Sequence, residues 1–153
     1  MKLVFKLKSI SILLICVFAL VACGGDKLIT AKQFDFYTKL REVEAVTAPV
    51  TKQLTEDMFL SQTEMNELSG KVCDMWDEFL DEVEDALEDN LSKKEYRAFE
   101  QEQEEWEKTA EAEVKAYAAE FVDGSMAPLI SNMEMTEKIK YRVYDLAKYF
   151  SRP

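Results

Sequence analysis

The stretch SQTEMNELSGKVCDMWDEFLDEVEDALEDNLSKKE, residues 61–95, combines two helix-start signals with one long apolar stripe. Ser61 with Glu64, and Ser92 with Glu95, have capping-box spacing, in which each side chain bonds a free backbone N–H group of the other residue. Between the two boxes, apolar side chains recur every three or four residues, which predicts one long continuous helix. The members of this stripe are Met65, Leu68, Val72, Trp76, Phe79, Val83 and Leu87.

A second stripe follows the second capping box and predicts another long helix. Asp89 and Asn90 are expected to form the turn between the two helices. A link this short folds two long helices back on each other as an antiparallel hairpin. The second stripe consists of Tyr96, Phe99, Trp106, Ala110, Val114, Tyr117 and Phe121, with Gln103 as its polar step.

One further helix is predicted on each side of this hairpin. The earlier helix is expected to end before Pro49, and the later one to begin near Pro128. Gly124 is expected to stop the second long helix in a left-handed conformation. The predicted fold is therefore all-α, an antiparallel three- or four-helix bundle built on the long hairpin. The inward positions are Phe34, Tyr37, Leu40, Val43 and Val46 in the first helix, and Leu129, Met133, Ile139, Val143, Leu146 and Phe150 in the last.

The first 22 residues have the order of parts of an export signal. Three lysines precede an uncharged apolar run, which ends in LVACGG at residues 20–25. This ending resembles the lipobox of bacterial lipoprotein precursors, in which the cysteine becomes the lipid-modified N-terminus. We predict a signal peptide at 1–22, lipidation of Cys23, a tether at 23–30 and a helical domain at 31–153. The alternative is a plain signal peptide or an uncleaved anchor.

A lipidated chain is expected in the cell envelope, attached to the membrane through its N-terminal acyl chains. The anchoring membrane is the outer membrane in a Gram-negative cell and the plasma membrane, on its outer face, in a Gram-positive cell.

The predicted mature chain is strongly acidic, with 16 basic and 30 acidic residues and a formal charge of −14. Residues 74–113 alone hold 17 acids and 4 bases. Such a surface repels nucleic acid and attracts cationic partners. The acids lie on the outer face of a packed hairpin, either as a solvated face or as a docking surface for a cationic protein. The candidate partner-binding residues are Asp77, Asp81, Asp85, Glu104 and Glu111.

The chain lacks the residues that several kinds of catalysis and metal binding require. The chain has no His, so His-assisted nucleophiles and His-ligated metals are excluded. It also has no glycine-rich phosphate loop and no EF-hand loop. Cys73 has no intramolecular partner and is interpreted as a small core residue. We therefore expect no enzyme activity, no cofactor and no dedicated metal site.

The segments QTEMNELSG (62–70) and DEFLD (77–81) resemble the small envelope-protein family named for the mycobacterial lysozyme inhibitor LprI. The resemblance covers about residues 62–146, and Thr136 is expected near the entry to the last helix. All of the matching positions except Glu64 and Asp77 are interpreted as structural. The matching residues are Gln62, Glu64, Met65, Asn66, Gly70, Asp77, Leu80, Gln103, Trp106, Gly124, Ser125 and Thr136.

Several positions depart from the family pattern. Leu68 and Val114 stand where the family has cysteines, and no third cysteine follows Gly124. Ala110-Glu111 replaces an Arg-Asp pair, and Ile139 replaces a late Arg. The resemblance thus implies a shared fold in which apolar residues occupy the family's disulfide positions.

The resemblance implies binding and inhibition of lysozyme, a strongly basic enzyme. The acidic hairpin is the electrostatic complement that such a target needs. A second hypothesis is an envelope adaptor or structural lipoprotein that binds another envelope protein through a helical groove. A third is a divalent-cation buffer.

Overall fold

The computed structural model describes residues 28–121 and 124–152. They form four α-helices: α1 (Phe36–Glu56), α2 (Gln62–Asn90), α3 (Lys93–Ala118) and α4 (Ala127–Leu146). Two 3-10 turns, Ala119–Phe121 and Ala147–Tyr149, follow α3 and α4. The described part contains no strand beyond a single parallel bridge. The all-α prediction is confirmed, with four helices.

The predicted signal peptide, the lipidated Cys23 and residues 24–27 of the tether lie outside the described residues. None of the helices in the described ranges is long and apolar enough to span a bilayer.

Both capping boxes are present and fix where the long helices begin. The Ser61 backbone N–H donates to Glu64 Oε2 at 2.8 Å, and the Glu64 N–H donates to Ser61 Oγ at 3.3 Å. Ser92 and Glu95 repeat this arrangement at 2.9 and 3.3 Å. The serine hydroxyl and then the serine backbone N–H donate to each glutamate carboxylate, and these two hydrogen bonds lower the pKa of Glu64 and Glu95. The predicted turn at Asp89 and Asn90 is wrong by two residues, because both residues belong to the last turn of α2 and the link lies at residues 91–92.

α1 runs through Pro49 to Glu56, so the predicted end before Pro49 is wrong. A proline inside a helix removes one backbone donor and costs about 3 kcal/mol. The helix continues because side chains beyond the proline, including Val50, pack against the core. Buried Thr47 also donates its hydroxyl to the Val43 carbonyl at 2.7 Å.

α2 is the central helix of the bundle. It packs most extensively against α4 and then against α1, whereas α3 packs against α4 and touches α2 only slightly. α1 is antiparallel to α2, since Lys39 pairs with Glu82 and Gln33, before α1, hydrogen-bonds Asn90 at the end of α2. α4 runs parallel to α2 and antiparallel to α3. The two arms of the predicted hairpin are therefore joined mainly through α4.

The core contains the predicted stripe of α2, with Trp76 2% exposed and Val83 and Leu87 fully buried. Three predicted inward residues are instead exposed, namely Val46 at 54%, Tyr117 at 47% and Met133 at 39%. They belong to helix segments where α1, α3 and α4 extend past their partners or border an open cleft. The remaining core side chains include Phe36, Phe79, Leu80, Phe99, Leu129, Ile139, Val143, Leu146 and Phe150.

Two details of the α3–α4 connection differ from the predictions. Gly124 does not have a positive φ, because α3 ends in the 3-10 turn at residues 119–121 instead of at a left-handed cap. Pro128 does lie in the first turn of α4. Thr136 lies in the middle of α4, not at its entry, and its hydroxyl donates to the Asn132 carbonyl at 2.7 Å.

The folded domain includes Ile29, a residue of the predicted tether at 23–30. Ile29 is 3% exposed, its N–H donates to the Tyr149 carbonyl at 2.9 Å, and its carbonyl accepts from Ser151 N–H at 2.9 Å. Beside it, the rings of Phe36 and Phe150 stack 4.6 Å apart. The N-terminal segment and the C-terminus thus close one end of the bundle together.

We expect Ile29→Ala to lower the free energy of unfolding by about 3 kcal/mol, since it leaves a cavity in the core. Leu28→Ala is the matched control, because Leu28 is 42% exposed and its truncation should change stability by about 0.5 kcal/mol or less. Denaturant unfolding measures both. Equal, small effects would show that residue 29 belongs to a loose tether after all.

Candidate functional site

Two stripes of carboxylates run along α2 and α3 with the same spacing of four, three and four residues. In an antiparallel pair the first member of one stripe lies opposite the last member of the other. The hydrogen bond from Gln103 Nε2 to Glu84 Oε1, at 2.7 Å, shows the two stripes meeting. We call these eight residues the acidic groove: Asp77, Asp81, Glu84 and Glu88 on α2, and Glu100, Glu104, Glu107 and Glu111 on α3.

Like charges and partial burial disfavour ionisation inside this groove. Burial, followed by the charges of Glu107 and Asp81, raises the pKa of Glu84 to about 7. Burial and then the charge of Asp81 also raise the pKa of Asp77. Tyr96 lies near carboxylates of both stripes, and burial followed by Glu88 and Glu100 raises the pKa of its hydroxyl. The groove is therefore a site of strong negative potential.

A buried arginine lies beneath the groove. Arg142 of α4 is 6% exposed, and its Nε donates to Gln103 Oε1 at 2.7 Å. Its Nη1 donates to Glu102 Oε1 at 2.7 Å. The guanidinium carbon lies 5.9 Å from the ring centre of Phe99 and 5.8 Å from that of Trp106. Its Nη2 has no hydrogen-bond partner among the described residues, so the aromatic rings supply its favourable contacts.

The chain Arg142–Gln103–Glu84 joins α4, α3 and α2 in one polar network. Gln103 uses its amide oxygen for Arg142 and its amide N–H₂ for Glu84. The positive charge of Arg142 lowers the pKa of Glu84, in opposition to the larger effects of burial and Glu107.

Four of the five predicted partner-binding residues belong to the acidic groove, and Asp85 does not. Asp77 and Asp81 lie in the acidic groove, and exposed Asp85 lies outside its stripe. Glu104 belongs to the α3 stripe, but its carboxylate pairs with Lys108 at 2.7 Å, which lowers the Glu104 pKa. Glu111 is exposed at the end of the same stripe.

Five residues of this region were not among the predicted partner-binding residues. Glu84, Glu88, Glu100 and Glu107 complete the groove, and Arg142 neutralises part of it from below. Arg142 follows Ile139 by three residues and precedes Leu146 by four, so the apolar spacing of α4 already places it on the inward face. The spacing of apolar residues in α4 could therefore have identified Arg142 as a buried cation.

The residues of the family pattern are mostly structural and gather where α2 and α4 begin. Asn66 Nδ2 donates to the Ser125 carbonyl at 3.2 Å, and Gln62 Nε2 donates to Asn66 Oδ1 at 2.9 Å. A side chain at Gly70 would lie 3.5 Å from Asn132, which bonds Ser69 Oγ at 3.1 Å. Elsewhere in the pattern, Leu80 and Gln103 are buried and Met65 and Trp106 are half-buried.

The positions that depart from the pattern also pack inward. Val114 and Ile139 are buried, and Leu68 is half-buried. Cys73 is half-buried, and desolvation raises the pKa of its thiol, which keeps the sulfur in its unreactive protonated form. In residues 28–121 and 124–152, no three carboxylate or thiol groups converge closely enough to hold a metal ion.

A second concave feature is a cleft of about 740 Å³ between α1, α2 and α4. Trp76 and Val72 form its floor, with Thr47, Thr51 and Thr136 around them. Each of these threonine hydroxyls donates to a carbonyl of its own helix. These three side chains therefore present their methyl groups to the cleft without a free hydroxyl donor.

We expect Arg142→Met to reduce the free energy of unfolding by about 2 kcal/mol. The substitution keeps most of the packing volume but leaves the buried Gln103 oxygen without its donor. Gln103→Leu should cost a similar amount, and the double variant less than the two single costs together, because both remove one hydrogen bond. Denaturant unfolding of all four chains measures this coupling, and strict additivity would contradict a shared network.

We expect Glu84→Gln to stabilise the domain at about pH 8.5 and to have little effect at about pH 4.5. The folded pKa of Glu84, about 7, lies above its ordinary 4.5, so the native state holds a proton that the unfolded state has lost. Stability is therefore lost as pH rises from about 4.5 to 7, and glutamine avoids that loss. After allowance for solvent screening the gain is about 1 kcal/mol.

Asp85→Asn is the control for Glu84→Gln, because it removes an exposed charge from the next position. Thermal unfolding at both pH values measures the difference, and a loss of stability in Glu84→Gln at high pH would contradict the assignment.

Comparison with known families gives one match, to the model described as lysozyme inhibitor LprI, over residues 56–146. This range includes the α1–α2 loop, all of α2 and α3, and α4 to its last residue. No curated protein and no solved structure matched the chain. The family match covers more than half of the sequence and contains both stripes of the acidic groove. The chain therefore belongs to the LprI lysozyme inhibitor family.

Proposed function

We propose that this protein binds a basic lysozyme through the acidic groove and inhibits it without catalysis of its own. The observation that carries the proposal is the pair of matched carboxylate stripes on α2 and α3. The family match supplies the target class, and the groove supplies a surface of the opposite charge to that target.

Most carboxylates of the groove form no ion pair within the described part of the molecule. Within the described ranges, Glu82 is the one carboxylate of residues 74–90 that forms an ion pair, with Lys39 at 2.7 Å. On α3, Glu104 is paired with Lys108, whereas no ion pair forms at Glu100, Glu107 or Glu111 in the described part. Arginine and lysine side chains of a partner would supply the missing counter-charge.

The groove gains from such a partner because its carboxylates repel one another. A cation placed beside Glu84 would offset the repulsion from Glu107 and Asp81 that raises the Glu84 pKa. Association should therefore drive Glu84 to its charged form. It should also weaken at high salt, because salt screens the attraction between the groove and the partner. Charge complementarity of this kind acts mainly on association rate and specificity.

The proposed location is the cell envelope, with the domain tethered through lipidated Cys23. The sequence LVACGG at residues 20–25 supports it. Because Ile29 is already part of the folded domain, the tether between Cys23 and the bundle is short. Lysozyme would then be bound close to the membrane, on the side where it attacks the cell wall.

A second candidate is an envelope adaptor, supported by the cleft between α1, α2 and α4. Its floor of Trp76 and Val72 and its exposed rim residues Met133 and Tyr144 suit an apolar segment of another protein. The two candidates use different faces of α2, so substitutions distinguish them.

We expect the chain from Gly24 to Pro153 to inhibit lysozyme more strongly at low salt than at moderate salt. The triple variant Asp77→Asn/Asp81→Asn/Glu107→Gln should weaken inhibition by about tenfold or more, since a 1.4 kcal/mol loss is tenfold. The matched control Glu42→Gln/Glu67→Gln/Glu120→Gln removes three exposed charges elsewhere and should change it by about threefold or less. Lysis of cell walls by a basic lysozyme measures all three chains.

Unchanged lysis at excess wild-type protein would refute lysozyme inhibition. Equal losses in both triple variants would show that net charge, not the groove, attracts the enzyme. Recovery of one envelope protein in a pull-down, with lysis unaffected, would favour the adaptor.

A further inference from the structure

The end of the bundle where the chain enters carries a group of exposed cations that have no carboxylate partner. Among the described residues, none of the five forms an ion pair within 4 Å, although the protein is strongly acidic. We call this end the tether end and these residues its cations: Lys32, Lys93, Lys94, Arg97 and Arg152.

Hydrogen bonds place these cations around the entry point of the chain. Lys32 precedes Gln33, whose side-chain amide donates to Asn90 at the end of α2. Lys93, three residues after Asn90, and Lys94 are the first two residues of α3. Arg152 follows Ser151, whose backbone N–H donates to the Ile29 carbonyl at 2.9 Å.

Lys93 and Lys94 stand where the helix itself disfavours them. The N-terminus of a helix carries partial positive charge, so lysines in the first turn of α3 are unfavourable unless an anion compensates them. Glu95 in the same turn is engaged with Ser92 in the capping box. Glu88 accepts the Tyr96 hydroxyl, Asp35 caps α1 and Asp89 is exposed, and none of these carboxylates forms an ion pair within the described residues.

We propose that the tether end docks on the surface of an anionic phospholipid bilayer and holds the domain upright. The inference rests on the proposed envelope location. Five residues, 24–28, lie between Cys23 and Ile29, so the Cα atoms of Cys23 and Ile29 are at most about 21 Å apart. The tether end is therefore the part of the domain that the anchor keeps against the lipid headgroups.

The negative charge of the groove favours the same orientation. A domain lying on its α2–α3 side would bring the acidic groove against lipid phosphates, which repel it. Upright docking instead points the groove along the membrane normal. It also carries the α1–α2 loop, where Met58 and Phe59 are 91% and 93% exposed, to the far end of the 29-residue α2, about 44 Å away.

Energy transfer from the native tryptophans to a dansyl lipid tests whether the domain docks on the bilayer. Trp76 lies 14 residues before the end of α2 and Trp106 lies 14 residues after Ser92, so both stand about 21 Å from the tether end. The full chain is placed in phosphatidylcholine vesicles, with or without phosphatidylglycerol, and flotation measures attachment. Each Lys or Arg near an anionic surface favours contact about fivefold.

We expect transfer to be higher on anionic than on neutral vesicles at low salt, and the difference to disappear at about 0.5 M salt. Lys93→Glu/Lys94→Glu/Arg97→Glu should abolish the increase. Lys52→Glu/Lys71→Glu/Lys115→Glu makes the same change in net charge at exposed sites farther from the tether end and should keep it.

The net charge alone predicts the reverse sign, with lower transfer on anionic vesicles. Equal or lower transfer in a chain that floats with the vesicles would overturn the docking proposal and leave the lysozyme proposal intact. A chain that does not float would overturn the anchored location and this orientation together. Loss of the increase in both triple variants would also overturn it, because the tether end would then have no special role.

Discussion

The hydrogen bond between Arg142 and Gln103 is the interaction on which the arrangement of α3 depends. α3 touches α2 only slightly, so it is positioned mainly through α4. Gln103 is the buried polar step in an otherwise apolar stripe, and Arg142 is the buried cation of α4. A buried amide and a buried guanidinium are stable only when each meets the other. That requirement fixes the register of α3 on α4, and with it the register of the two carboxylate stripes.

This arrangement also explains how a groove of like charges persists in a stable fold. The two stripes repel each other, yet α2 and α3 are joined at residues 91–92 and both held by α4. Arg142 lies below the groove and partly offsets the charge of Glu84, while Glu102 takes its second donor on the outer side. Burial, followed by this repulsion, raises the pKa of Glu84 and Asp77, and the helices stay together. The negative potential remains available to a partner.

Local signals of the sequence predicted the helices well because they depend on neighbouring residues alone. Ser61 and Ser92 cap the helices as their spacing indicates, and the stripe around Trp76 is buried. The predicted end of α1 before Pro49 was wrong because tertiary packing of the helix outweighs the local cost of the proline. A rule based on neighbouring residues does not include that packing. Ile29 was missed because its partner, Tyr149, is 120 residues away in the sequence. The acidic hairpin was predicted, but its register was not, since that depends on Gln103 and Arg142 meeting across two helices.

Family membership and the proposed binding surface depend on largely different residues. Asn66, Gly70 and Ser125 hold the starts of α2 and α4 together at the end of the bundle far from Ile29. The groove lies along α2 and α3 toward the other end, and of its eight carboxylates only Asp77 belongs to the family pattern. The fold can therefore be kept while the groove charges change. Because apolar Val114 and Ile139 pack where the pattern has a cysteine and an arginine, this chain keeps the scaffold by core packing. Its affinity for a cationic target would then reside in the carboxylates.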